Sequence, residues 1–160
     1  MAASLVLLIG EDICHRSEVL RSAGYAVEEC ASEITAAAWF RGGRSADIVC
    51  ITEGTRGPAE APLAIARHFS SAPMVLFRSA NHNYLQRVWD LDVPLYRPPE
   101  LWLEDIAALL ASMRTTIACS AELRVDSRNL QGETARLPEE SRRLREELSR
   151  VLSRGTGQRE

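Results

Sequence analysis

Short solid apolar runs alternate along this chain with stretches whose apolar residues recur at helical spacing. Leu5–Ile9 is an unbroken apolar run of strand length, followed by polar Gly10, Glu11 and Asp12 and then a helical stretch carrying Ile13, Val19 and Leu20 that ends at Gly24. Residues 25–30 alternate as a second strand. Ser32 is placed to cap a helix containing Ile34, Ala38, Trp39 and Phe40, which Gly42 and Gly43 close. Residues 48–51 form a β-branched third strand. Pro58 and Pro62 punctuate a loop before a third helix through Leu63, Ile65 and Phe69, and Pro73 precedes a fourth strand over 74–77. The pattern then predicts a fourth helix over 81–91, a fifth strand over 93–96, a stop at Pro98-Pro99, and a fifth helix over 101–113.

Buried parallel strands appear in sequence as continuous apolar runs, so five such runs each followed by a helix predict an α/β fold. The expected architecture is a doubly wound five-stranded parallel sheet of flavodoxin-like order 2-1-3-4-5 over residues 1–116, with a C-terminal helical extension over 117–160. In that topology ligands and chemistry gather at the carboxyl ends of strands 1 and 3. The residues to examine are therefore Gly10, Glu11 and Asp12 after strand 1, Thr52 and Glu53 after strand 3, Arg78 and Ser79 after strand 4, and Arg97 after strand 5.

Composition narrows the function classes. The 160 residues are 46% hydrophobic and 26% charged with a net charge of −3, which suits a soluble domain and gives no electrostatic footprint for nucleic acid. All 19 basic residues are arginines, which excludes lysine Schiff-base chemistry. Cys14, Cys30, Cys50 and Cys119 form no C-x-x-C pair and have no histidine at a metal-ligand spacing, so buried free thiols are expected and no metal site or cofactor. The first ten residues are apolar without a basic leader, and no run approaches the roughly 18 residues of a membrane span. These features predict a cytoplasmic protein with no membrane contact.

The layout over residues 4–113 resembles the receiver domains of bacterial response regulators. The likeness rests on the acidic cluster after strand 1, Ala23-Gly24-Tyr25 before strand 2, Asp47-Ile48-Val49 opening strand 3, the hydroxyl position after strand 4, and Arg97-Pro98 where the family has lysine and proline. In that family paired carboxylates hold Mg²⁺ against an aspartyl phosphate, a lysine neutralises one phosphate oxygen, and a threonine or serine bonds another. The resemblance places Thr52 where the acceptor aspartate stands, and its hydroxyl cannot form an acyl phosphate. By a one-residue register the acidic pair is Gly10 with Glu11 or Glu11 with Asp12. Arg78 takes the hydroxyl position unless strand 4 shifts to bring in Ser79, and Glu53 points away from Thr52 along the strand. A salt bridge from Arg97 or Arg78 to Glu11 or Asp12 is one way such a pocket is filled. The resemblance thus implies a degenerate, non-phosphorylated pseudo-receiver.

Beyond Cys119 a seven-residue repeat appears: LRVDSRN, LQGETAR, LPEESRR, LREELSR. Leu123, Leu130, Leu137, Leu144 and Val151 make one column, Asp126, Glu133, Glu140 and Glu147 a second, and Ser127, Thr134, Ser141 and Leu148 a third. With the leucines at heptad position d, the acids fall at g and the small hydroxyl residues at a. The half-polar core, Gly132 and Pro138 predict a weak coiled coil or a partner-docking helix, against the plainer alternative of a solvated helix. Between g and the following e position, Glu140 meets Arg145 but Glu133 meets Pro138. Nine arginines nearly balanced by eight acids, with no aromatic residue, argue against an RNA-binding arm.

Together these features suggest a non-enzymatic signalling protein that binds a protein partner or a second copy of itself. Tyr84, Trp89, Tyr96 and Trp102 are the candidate interface residues, because aromatics anchor interfaces. The alternative is a small-ligand-binding or enzymatic module of flavodoxin-like fold, for which Gly54-Thr55-Arg56-Gly57 is a candidate anion cradle and His15 the histidine nearest the switch point. A regulator of transcription whose output lies on another chain is a third class.

Overall fold

The apolar runs form the strands β1 (Leu5–Ile9), β2 (Ala26–Cys30), β3 (Ile48–Thr52), β4 (Met74–Arg78) and β5 (Leu91–Pro94). The helices are α1 (Arg16–Ser22), α2 (Glu33–Arg41), α3 (Glu60–Phe69) and α4 (Pro99–Gly155). The computed structural model describes residues 3–54, 57–80 and 82–155, with 132–137 and 151–155 described by backbone alone. All strand pairs are parallel in the order β2-β1-β3-β4-β5, the order expected from the alternation. The chain divides into two compact units, Met1–Arg114 and Thr115–Glu160.

Within the first unit the sheet is covered on both faces. Leu7, Ile9, Val49, Ile51 and Leu76 pack on one face with Trp39 and Phe40 of α2 and Leu63 of α3. Val6, Leu8, Ile48, Cys50, Val75 and Phe77 pack on the other with Leu20 of α1 and with Trp102 and Ile106 of α4. Every residue of β3 is buried, as its central place demands, whereas edge strand β2 buries only Cys30. Ser32 caps α2 as expected: its side chain accepts from the Thr35 amide while the Thr35 hydroxyl accepts from the Ser32 amide.

Three expectations fail in whole or in part. Residues 82–90 form no helix, and Asn81 lies outside the described residues. Tyr84 and Trp89, five apart, would lie about 140° apart on a helix, yet both pack against the face formed by α2 and α3. An irregular loop brings both inward, pinned by Arg67, whose guanidinium donates to the Val88 carbonyl and pairs with Asp90 at 3.5 Å. The Asp90 amide and carboxylate in turn bond the Met74 backbone, both at 2.8 Å, so β5 begins two residues earlier than the pattern suggests. The buried-thiol expectation also holds only for Cys30 and Cys50; Cys14 is half-buried and Cys119 exposed.

Helix α4 continues through Gly132 and Pro138. A stretch within Pro99–Gln131 has a mean hydropathy of 1.3 and meets the length and composition of a membrane span, although Ser, Thr and Arg114 interrupt its apolar residues. Trp102, Ile106 and Leu110 of α4 are buried against the sheet, but only 11% of the apolar stretch is buried. Proline lacks the amide that an interior helical position donates. Pro138→Ala should therefore stabilise the tail helix by about 3 kcal/mol, seen as a gain in helical circular dichroism; an unchanged or weaker signal would show that the proline is not limiting.

Candidate functional site

Thr52, the last residue of β3, is 7% exposed at the carboxyl end of the sheet. Gly10 lies beside it with φ of 108°, and a Cβ there would come within 3.0 Å of the Thr52 carbonyl oxygen. Both the left-handed backbone and the close approach require glycine. Glu11 is exposed. Asp12 turns back onto the start of α1, where one carboxylate oxygen accepts from the Arg16 amide at 2.6 Å and the other from the Ser17 amide at 3.1 Å and the Ser17 hydroxyl at 2.7 Å. Burial pushes its carboxyl up, but these donors and the Arg16 charge outweigh it, leaving the group below its ordinary value. Asp12 thus does the capping that His15, the N-cap residue in left-handed conformation with φ of 52°, does not perform.

The residue that fills the space beside Thr52 is Arg16, which no motif in the sequence singles out. It is 2% exposed, and its guanidinium donates to Thr52 Oγ1 at 3.2 Å and to the Leu95 carbonyl at 3.0 Å. The guanidinium carbon lies 4.1 Å from the centre of the Phe77 ring. Among the described residues no carboxylate is within ion-pair distance of that guanidinium, so burial draws its pKa down against the opposing pull of Cys14, Asp12 and Cys50. The Cys50 thiol on the same face is pushed up to about 12 by its burial. A sequence signal for Arg16 exists: it stands four residues before buried Leu20, on the inward stripe of α1.

The expected salt bridges from Arg97 or Arg78 to Glu11 or Asp12 are not formed. Arg97 pairs with Asp105 of α4 at 2.8 Å. Arg78 lies 3.8 Å from Glu53 and 3.7 Å from Asp92 and donates to the His82 carbonyl at 2.8 Å. Residue alternation sends Glu53 to the face opposite Thr52, as expected, where it is fully buried. One oxygen accepts from the Ser79 amide at 2.7 Å, the Ser79 hydroxyl at 3.2 Å and the Ala80 amide at 3.2 Å; the other accepts from the Tyr84 hydroxyl. Tyr84 in turn accepts from the Ala59 amide at 3.1 Å. Burial raises the Glu53 carboxyl, yet the donors from Tyr84, Ser79 and Ala80 bring it below its ordinary value, while Tyr84 is pushed up to about 12 by burial and by Glu53. Ser79 therefore serves Glu53 and not Thr52. Arg78, Ser79 and Ala80, with Asp92, Val93 and Pro94, line an open hollow of about 410 Å³ at the ends of β4 and β5.

The four candidate interface aromatics do not form one surface. Trp102 is buried with its ring edge-on to Phe77, Trp89 is buried edge-on to half-buried Tyr84, and only Tyr96 is exposed, at 80%. Aromatic size favoured the core over the surface at two of the four positions. Thr55 and Arg56 of the candidate anion cradle lie outside the described residues. Among the described residues no group of three or more His, Cys, Asp and Glu is placed to hold a metal ion.

No family model and no curated protein matches the chain by sequence. Solved structures do match it. A CheY-like response regulator receiver domain protein from Methanospirillum hungatei aligns with a TM-score of 0.58 at 14% identity over 72% of this chain and 99% of its own. Vibrio cholerae CheY4 aligns with a TM-score of 0.55 at 19% identity over 68% and 99%. The N-terminal domain of a response regulator/sensory box/GGDEF three-domain protein from Carboxydothermus hydrogenoformans gives 0.60 at 13% over 71% and 98%. The fold is the CheY-like receiver fold. That fold brings Gly10, Asp12, Arg16 and Thr52 together at one end of the receiver-like sheet, with the Glu53 cluster on its opposite face and Arg97 turned toward α4.

Proposed function

We propose that this receiver-like chain is a signalling or regulatory protein that acts without phosphorylation and without catalysis, by binding a protein partner. The observation that carries this reading is the buried Arg16 guanidinium spanning Thr52 Oγ1 and the Leu95 carbonyl. A threonine hydroxyl at the end of β3 forms no acyl phosphate, and the neighbouring space already holds a cation. The Mg²⁺ that a receiver implies does not fit these residues: Gly10 offers no side chain, Glu11 is exposed, Thr52 offers no carboxylate, and both oxygens of Asp12 accept hydrogen bonds at the start of α1. Arg16 takes the place of a switchable ligand with a permanent one, so the domain holds one conformation and presents a constant surface. Incubation with acetyl phosphate and Mg²⁺ should add no phosphoryl mass to the intact chain. A stoichiometric adduct in the mass spectrum would overturn this reading.

A further inference from the structure

We propose that residues 123–148 of α4 form a parallel two-stranded coiled coil with a second copy of this chain. The proposal deepens the protein-interaction reading by naming its partner, and it stands on the tail alone. Leu123, Leu130, Leu144 and Leu148 of the helix are each at least 61% exposed, an apolar stripe recurring at heptad positions d and a. Its flanks differ in charge. The g column carries only acids through the repeat, with Asp126, Glu140 and Glu147 among the residues whose side chains are described, while the e column carries Arg124 and Arg145 and no acid.

This asymmetry chooses both the occupant and its direction. In a parallel pair each g position faces the e position of the next heptad on the other chain, so Glu140 meets the second copy's Arg145 twice by symmetry. In an antiparallel pair g faces g and e faces e, which sets the acidic column against itself and the arginines against each other. A second copy of the tail therefore supplies both an apolar stripe and the opposite charge on the correct side. Ser127 and Ser141 at a bury little apolar surface, so the association is concentration-dependent.

The test is the light-scattering mass of the full chain across a concentration range. The mass should rise toward twice 17.7 kDa, and the double variant Leu123→Gln/Leu144→Gln should stay at one chain. A wild-type chain that remains single throughout, or a double variant that dimerises as well as wild type, overturns the proposal. Direction is tested by Glu140→Arg, which should weaken dimerisation by about tenfold and regain it when combined with Arg145→Glu. In an antiparallel coil Glu140→Arg would instead relieve acid-acid repulsion and tighten the dimer, which also overturns the proposal. A monomer that takes no phosphoryl group leaves the locked pocket standing and removes the coil; a dimer that becomes phosphorylated does the reverse.

Discussion

Glu53→Ala should destabilise the receiver-like unit by about 4 kcal/mol, because it removes the one buried acceptor shared by four donors, from half-buried Tyr84 and from Ser79 and Ala80 at the surface. The Tyr84 hydroxyl, the Ser79 amide and hydroxyl and the Ala80 amide all converge on this carboxylate, and Arg78 is its nearest cation. Against the 5–15 kcal/mol that typically holds a domain together, about 4 kcal/mol is a large share. The loop over residues 82–90 should loosen first, since Tyr84 is one of its inward anchors.

The same carboxylate sets an acid limit. Its folded pKa is below its ordinary value of 4.5, so its contribution is present above about pH 4.5 and is lost as pH falls through the folded pKa. Tyr84 has the opposite sense: its pKa is raised from 10.0 to about 12, so its contribution is present below about pH 10 and is lost as pH rises toward 12. Urea unfolding across pH should show Glu53→Gln flattening the acid limb, with Asp12 retaining its own share, and Tyr84→Phe flattening the alkaline one. Unchanged limbs in both variants would show that the cluster is not the titrating element.

Arg16→Ala should cost about 3 kcal/mol, the sum of a cavity over Phe77 and two buried oxygens, Thr52 Oγ1 and the Leu95 carbonyl, left without their donor. Arg16→Met should cost markedly less. It keeps most of the volume and removes a buried cation that, among the described residues, has no carboxylate at ion-pair distance, and that saving in desolvation offsets the lost hydrogen bonds. Urea titrations of the two variants separate packing from charge. Equal losses would mean that the hydrogen bonds, not the filled volume, hold the pocket. If Arg16 locks the domain, Arg16→Ala should also speed hydrogen exchange at the amides following β3 and β5, a readout that mere cavity formation elsewhere in the core would not move.

The sheet was legible because its strands are local in sequence and buried on both sides: Leu5–Ile9 and Ile48–Thr52 can be placed from their unbroken apolar character. The order of strands followed from the alternation of strand and helix. The residue type at position 52 and the opposite facing of Glu53 also followed from sequence, since strand alternation is a property of the backbone. These features depend on periodicity, which is carried by neighbours along the chain.

What packed into the pocket was decided only in three dimensions. Arg16, Thr52 and Leu95 are separated by 36 and 43 positions in sequence, and no period connects them. The same holds for Glu53 with Tyr84, 31 positions apart, in the segment where a predicted helix is a loop. Local propensity differs between helix and coil by a few tenths of a kcal/mol per residue, while a buried carboxylate with its donors, or a buried tryptophan, is worth several kcal/mol. Local pattern therefore set where the elements lie, and the larger tertiary terms decided which side chains occupy the space between them.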